Sequence, residues 1–400
     1  MRPTHSFTLV ALATGFAVGG LLFVPSVPRI LMALRHFVIA REPTATSGPF
    51  QVTAVNAALL ASAANDPTIF VQIWYPAAAN LPATDLLSES ATLITCSKVM
   101  DDPRLSDTRS QFPILLYAPW NGGAKDDNAS TAAELASHGY VVMAIDDIDR
   151  DPRSPTATDD WQPLTFDFSS AEAFKTTLRI GDRKVRRQAE KALTALDQLK
   201  ACANADWRAR IQFDRIGFFG FSIGGSTAAE AGTFDPRIAA VANLDGWLFG
   251  RAAFGALDKP YLVILSEDAA FPTPRQLQSP NPNKRFEAVL TARDLREETR
   301  LANRPGGFGY HVLESFHENL SDEIFKRRFS KSWLLTNPYR VKSIRDSYLL
   351  AFFDTYVRDR PSPLLTQSPS PFREVEVLKA NEYWLKEAAM STIQSSAGSN

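Results

Sequence analysis

The feature that most narrows the folds open to this chain is the run Arg215-Ile216-Gly217-Phe218-Phe219-Gly220-Phe221-Ser222-Ile223-Gly224-Gly225. An apolar, strand-like stretch enters a G-x-S-x-G turn, and Ser226-Thr227-Ala228-Ala229-Glu230-Ala231 leaves it with compact, helix-compatible side chains. A serine in such a turn is held in a strained conformation that exposes its Oγ above the sheet. The flanking glycines let strand and helix backbones approach with no Cβ between them. As a bare pattern G-x-S-x-G also serves as an ordinary strand-to-helix joint, so its weight comes from its surroundings.

Those surroundings are a regular alternation. Apolar runs read as buried strands at Ile69 to Trp74, Ile114 to Tyr117, Tyr140 to Ile145, Ile216 to Phe219, Ile238 to Leu244, Tyr261 to Leu265 and Tyr310 to Leu313. Between them, Thr131 to His138 reads as a helix opened by a capping box (Thr131, Glu134). Asp182 to Lys200 carries Val185, Ala189, Leu193, Leu196 and Leu199 on one face. Strand-helix alternation of this kind predicts an α/β fold, a mainly parallel central sheet with helices on both faces, whose ligands bind beyond the carboxyl ends of the strands. The expected organisation is a signal peptide or membrane anchor within residues 1–40, one α/β domain over 45–385 and a flexible tail at 391–400. Stretches near 149–180 and 271–307 read as insertions, which either overhang the site or decorate the surface.

A serine hydroxyl is a poor nucleophile until an imidazole takes its proton, and the imidazole needs a carboxylate to hold its tautomer. In this topology the acid and the histidine follow the serine in the chain, and of the five histidines only His311 and His317 do so. His311 falls inside the strand Tyr310 to Leu313. His317 lies in the loop just beyond, where a base needs to be, and is the preferred candidate. For the acid, Asp245 ends one strand while Glu267 and Asp268 follow another, and strand position does not choose between them. The oxyanion site expects two backbone N–H groups: that of Ile223, and one from Pro119-Trp120-Asn121-Gly122-Gly123. There Pro119 has no N–H and Asn121 is preferred to Trp120.

Other chemistries lack their signatures. Lys+Arg 43 against Asp+Glu 44 leaves a net charge of -1, without the basic footprint that nucleic acid demands. No P-loop, G-x-G-x-x-G or His-Glu-x-x-His occurs, and the mechanism expected of Ser222 calls for no metal or organic cofactor. Phe7 to Val24 is uninterrupted by charge and follows Arg2, as in a signal peptide or anchor, so the expected localisation is exported or membrane-anchored, with membrane-surface contact through this segment. Arg29, Arg35 and Arg41 beyond it argue against simple translocation. Cys96 and Cys202 are the only cysteines and have no metal-ligand spacing; one disulfide, if the chain is exported, or two buried thiols are both open.

With these residues assembled, the chain resembles the plasma-type and intracellular type II platelet-activating factor acetylhydrolases, serine esterases of the α/β-hydrolase fold. The resemblance runs from about Gly48 to Arg358. It is carried by Ile73-Trp74-Tyr75-Pro76, Leu135-Ala136-Ser137-His138-Gly139-Tyr140, the turn Gly220 to Gly225, Leu244-Asp245-Gly246-Trp247-Leu248-Phe249 and Ser315-Phe316-His317-Glu318-Asn319. It implies Asp245 rather than Asp268 as the acid and supports His317. It also implies a small-molecule or lipid ester substrate, with short acyl groups and the sn-2 acyl group of platelet-activating-factor-like phospholipids foremost. A general carboxylesterase, a polyester or aromatic-ester hydrolase, and a non-catalytic binding protein are the alternatives. Pro119-Trp120-Asn121-Gly122 replaces the His-Gly-Leu-Gly of that family, so the acyl pocket must differ.

Overall fold

The computed structural model describes residues 45–59, 68–77, 94–95, 105–106, 111–150, 162–327 and 330–379. The amino-terminal apolar segment, the 391–400 tail and Cys96 lie outside the described residues. No described helix is long and apolar enough to cross a membrane.

Ten described strands form one sheet: β1 (Gln51–Leu59), β2 (Ile69–Ala77), β3 (Ile94–Thr95), β4 (Phe112–Ala118), β5 (Val141–Ile145), β6 (Ile211–Phe221), β7 (Ile238–Leu244), β8 (Tyr261–Ser266), β9 (Gly307–Val312) and β10 (Val375–Val377). Their order across the sheet is β10-β9-β8-β7-β6-β4-β5-β2-β1-β3. From β5 through β4, β6, β7 and β8 to β9 every pairing is parallel, whereas β1–β2, β2–β5 and β9–β10 are antiparallel. The expected mainly parallel α/β sheet is therefore present. β4, β5 and β8 are buried along their whole length because helices cover both faces, which explains why they read as continuous apolar runs without alternation.

Five longer helices supply those layers: α1 (Ala129–Ser137), α2 (Ala171–Cys202), α3 (Ile223–Gly232), α4 (Pro282–Ala302) and α5 (Pro338–Tyr356). One apolar cluster joins the α2 face (Ala189, Leu193, Leu196) to Ile216 and Phe218, and another joins α1 and α5 to Phe219 and Leu262. β1 was not legible, since Gln51-Val52-Thr53-Ala54-Val55-Asn56 mixes polar and apolar residues. It forms because β2 offers a nine-residue antiparallel register.

Two local expectations differ from what forms. The helix read at Asp182 to Lys200 starts at Ala171, where Ser170 Oγ accepts from Ala173 N–H, so it takes in the end of the 149–180 insertion. The Thr131–Glu134 capping box does not form. α1 begins two residues earlier, behind Asn128, and Thr131 Oγ1 donates instead to Asp346 at 2.8 Å. Asp322 takes the capping role from 192 residues away, accepting from Ser130 N–H at 2.6 Å and Ser130 Oγ–H at 2.7 Å. Local pattern proposed a cap, and a buried long-range carboxylate displaced it.

Candidate active site

The strand ends β6, β7 and β9 lie close together at one edge of the parallel sheet, and Ser222, Asp245 and His317 follow them. Ser222 is the residue between β6 and α3. Its φ of 55 and ψ of -125 place it outside the regions open to L-residues without strain. What holds it there is close approach on either side. A Cβ on Gly224 would fall on the Ala118 carbonyl oxygen, and one on Gly246 on the Ser222 carbonyl oxygen, so the loops after β4 and β7 are packed directly against the turn.

Asp245 also has a positive φ, 56, and is buried among donors. Ser266 N–H donates to Oδ1 at 3.0 Å and Ser266 Oγ–H to Oδ2 at 2.7 Å. His317 Nδ1 lies 2.8 Å from the same Oδ2. An ionised carboxylate only accepts, so Nδ1 carries the proton and Nε2 is left with a free lone pair. The imidazole packs on Phe221, the neighbour of Ser222, with ring centroids 4.6 Å apart. Ser222 Oγ itself makes no hydrogen bond among the described residues, an arrangement common before substrate draws such groups together.

Electrostatics follow from this geometry. Burial alone raises the Asp245 carboxyl, but the His317 hydrogen bond and charge, with the two Ser266 donors, outweigh it and hold the carboxyl below its ordinary value. For His317 burial pulls downward; the Asp245 hydrogen bond and charge, helped by Glu318 and Asp268, overcome it and raise the imidazole above 6.5. Asp268 lines the same pocket without reaching the imidazole, and burial followed by the Asp245 charge pushes it up. His311 sits in β9 opposite Glu376, with Nε2 buried and unpartnered among the described residues.

Ser222, Ile223, Asp245 and His317 share a pocket of about 410 Å³. One wall is aromatic: Phe166, Trp247 and Phe249, with Phe166 and Trp247 edge-on at 5.5 Å. A polar stripe of α4, Glu287, Thr291 and Asp294, spaced to share one helix face, also lines the pocket. Burial pushes the Asp294 carboxyl up to about 7, against the pull of the Leu248 N–H it accepts from. Beneath it Glu298, bonded to Tyr261 and Asn243, is pushed well above the carboxylate range by burial. Phe166 and the α4 stripe come from the stretches read as insertions, whereas Trp247 and Phe249 follow β7; Phe174 of one insertion stacks on Phe286 of the other at 5.0 Å. Sequence reading missed the α4 stripe and Ser266. The first was legible only as charge periodicity in an unplaced helix, and the second had no signal beyond its place at the end of β8.

The N–H groups of Ile223 and Asn121 both lack partners among the described residues, and the Ala118–Pro119 backbone beside Gly224 sets the second loop against the first. No group of three or more metal-ligating side chains occurs among the described residues.

This topology, with a strained serine after β6 and a carboxylate–imidazole pair after β7 and β9, defines a chain of the α/β-hydrolase fold. Within that class, residues 86–279 match the family described as platelet-activating factor acetylhydrolase, isoform II, so the resemblance read in the sequence holds over that span. Curated relatives called platelet-activating factor acetylhydrolase include those of Bos taurus, 22% identical over 188 residues, 42% of each chain. That of Cavia porcellus is 23% identical over 247 residues, 54% of this chain and 50% of the relative. This chain thus spans half or less of the length of these relatives. Among solved structures, the ferulic acid esterase from Streptomyces cinnamoneus superposes with a TM-score of 0.58 at 21% identity, covering 84% of this chain and 98% of the other, a likeness of fold.

Proposed function

We propose that this chain is a serine carboxylic-ester hydrolase acting on short acyl esters, with Ser222 as nucleophile, His317 as general base and Asp245 as the acid that orients it. The observation that carries the reading is the 2.8 Å contact of His317 Nδ1 with Asp245 in the pocket that also contains Ser222. It leaves Nε2 free to accept the serine proton. As Oγ bonds to the ester carbonyl carbon, its proton passes to Nε2 and the carbonyl oxygen gains negative charge, received by the N–H groups of Ile223 and Asn121. Collapse expels the alcohol, which takes the proton from the imidazolium. Water then attacks the acyl-serine with His317 again as base, releasing the carboxylic acid.

The family match favours platelet-activating-factor-like phospholipids, cleaved at the sn-2 acyl group, as the substrate class. The aromatic wall of Phe166, Trp247 and Phe249 favours a second reading, an aromatic-ester hydrolase without lipid preference. Export, or anchoring by the amino-terminal segment at a membrane surface, belongs to the same proposal. Its support is that Cys202 is disulfide-bonded, as suits an oxidising compartment.

Intact-mass analysis after fluorophosphonate treatment tests the nucleophile. Wild type is expected to gain one adduct and Ser222→Ala none; an unlabelled wild type, or a labelled variant, overturns the assignment. Hydrolysis of short-chain phospholipids against nitrophenyl and hydroxycinnamoyl esters then separates the two substrate readings.

A further inference from the structure

α2 carries a lysine with no exposure at all. Lys184 Nζ has three protons, and each is spent: on Asn121 Oδ1 at 2.5 Å, Asp147 Oδ1 at 2.9 Å and Asp149 Oδ2 at 2.5 Å. A fully buried ammonium with every donor engaged is a fixed point, and what it fixes on one side is the loop after β4. The Asn121 amide is held at its other end too, where Nδ2 donates to the Leu164 carbonyl at 3.0 Å. The side chain is therefore gripped between α2 and the 162–170 segment, while the backbone N–H of the same residue takes no partner among the described residues. The rest of the loop is tied to the end of β5, with Lys125 N–H donating to Asp146 Oδ1 at 2.9 Å and Asp147 N–H to the Gly123 carbonyl at 3.1 Å.

We propose that Lys184 is a positioning residue for the reaction: by clamping the Asn121 side chain, it aims the Asn121 backbone N–H at the oxyanion. The inference rests on the serine-hydrolase reading above and adds to it a reason for asparagine at this place. A backbone donor needs no particular side chain, yet here the side chain supplies both an acceptor for the buried ammonium and a donor for Leu164. Where glycines 122 and 123 leave the loop free to turn, the clamp removes that freedom on one side of the donor. Donors that stabilise developing charge act through pre-set placement, and a displacement of about 1 Å costs on the order of a hundredfold in rate.

The deciding variant is Asn121→Ala, which keeps the backbone donor, leaves Lys184 its two carboxylates and deletes only the grip. With a short-chain nitrophenyl ester, and sites counted by fluorophosphonate labelling, kcat is expected to fall between about tenfold and a hundredfold with KM within about twofold of wild type. Affinity for a trifluoromethyl ketone, whose adduct carries the oxyanion, is expected to weaken by the same factor. Lys184→Met is expected to reproduce the loss. The double variant is expected to lose no more than the worse single one, because both changes release the same donor. Asn121→Ala with wild-type kcat and ketone affinity overturns the clamp even if Lys184→Met fails to fold. Equal losses in kcat and KM, or additive losses in the double variant, overturn it as well. A wild type that labels nowhere is a different failure, that of the hydrolase reading itself.

Discussion

At the scale of single residues, the site is governed by one shared oxygen. Asp245 Oδ2 accepts from both His317 Nδ1 and Ser266 Oγ, so the carboxylate stays ionised and the imidazole is raised above 6.5. The sign of the consequence is fixed. A base must be neutral to accept a proton, so activity is present above the raised value and lost as pH falls through it. The acid limb of kcat/KM is expected at an apparent pKa above 6.5, and an acid limb below that value contradicts the pairing. In Asp245→Asn the limb is expected to move down, and kcat to fall by roughly ten-thousandfold, because the amide admits the wrong tautomer. The three residues proposed for the site, Ser222, His317 and Asp245, could be named from the sequence because chain order and strand ends narrow the candidates. Asp245 was separable from Asp268 only by family resemblance, since both carboxylates follow strands. What separates them physically is a hydrogen bond to residue 317, which no local pattern encodes.

At the scale of elements, the loop bearing His317 is tied to the helix layer through Asp322. This buried carboxylate caps α1 through Ser130 and pairs with Arg345 of α5 at 3.3 Å, while Ser321 Oγ–H and Asp322 N–H both donate to the Asp127 carbonyl. Asp322→Ala leaves a buried guanidinium short of an acceptor and a helix start uncapped, and is expected to cost about 2–4 kcal/mol in urea unfolding. A loss under about 0.5 kcal/mol, the usual effect of an ordinary surface change, would show that the network carries little. The sequence displayed most of the parallel strands as apolar runs, since burial on both faces leaves little else. β1 and the true start of α1 were hidden, because the first depends on a partner strand and the second on a carboxylate 192 residues distant. The sequence reading of helix α2 began at Asp182; its first turns, whose Phe174, Leu178 and Ile180 pack only part-buried against the Phe249 cluster, were read as insertion.

At the scale of the whole molecule, the end of α2 is cross-linked. Cys202 is disulfide-bonded, and the sequence's other cysteine, Cys96, lies outside the described residues. Cys202→Ala is expected to lower stability by about 2–4 kcal/mol, with a reductant bringing wild type to the same thermal midpoint. A midpoint indifferent to both would remove the bridge from the account. Backbone strain is distributed as unevenly as the cross-link. Of the four described non-glycine residues with positive φ, Ser222 and Asp245 line the pocket, while Glu314 and Asp359 do not. A glycine adopts such angles freely, so Ser222→Gly relaxes the fold where it is most distorted. Breeding this protein for heat resistance alone would thus drift toward an inert scaffold, and any such campaign has to reward turnover in every round.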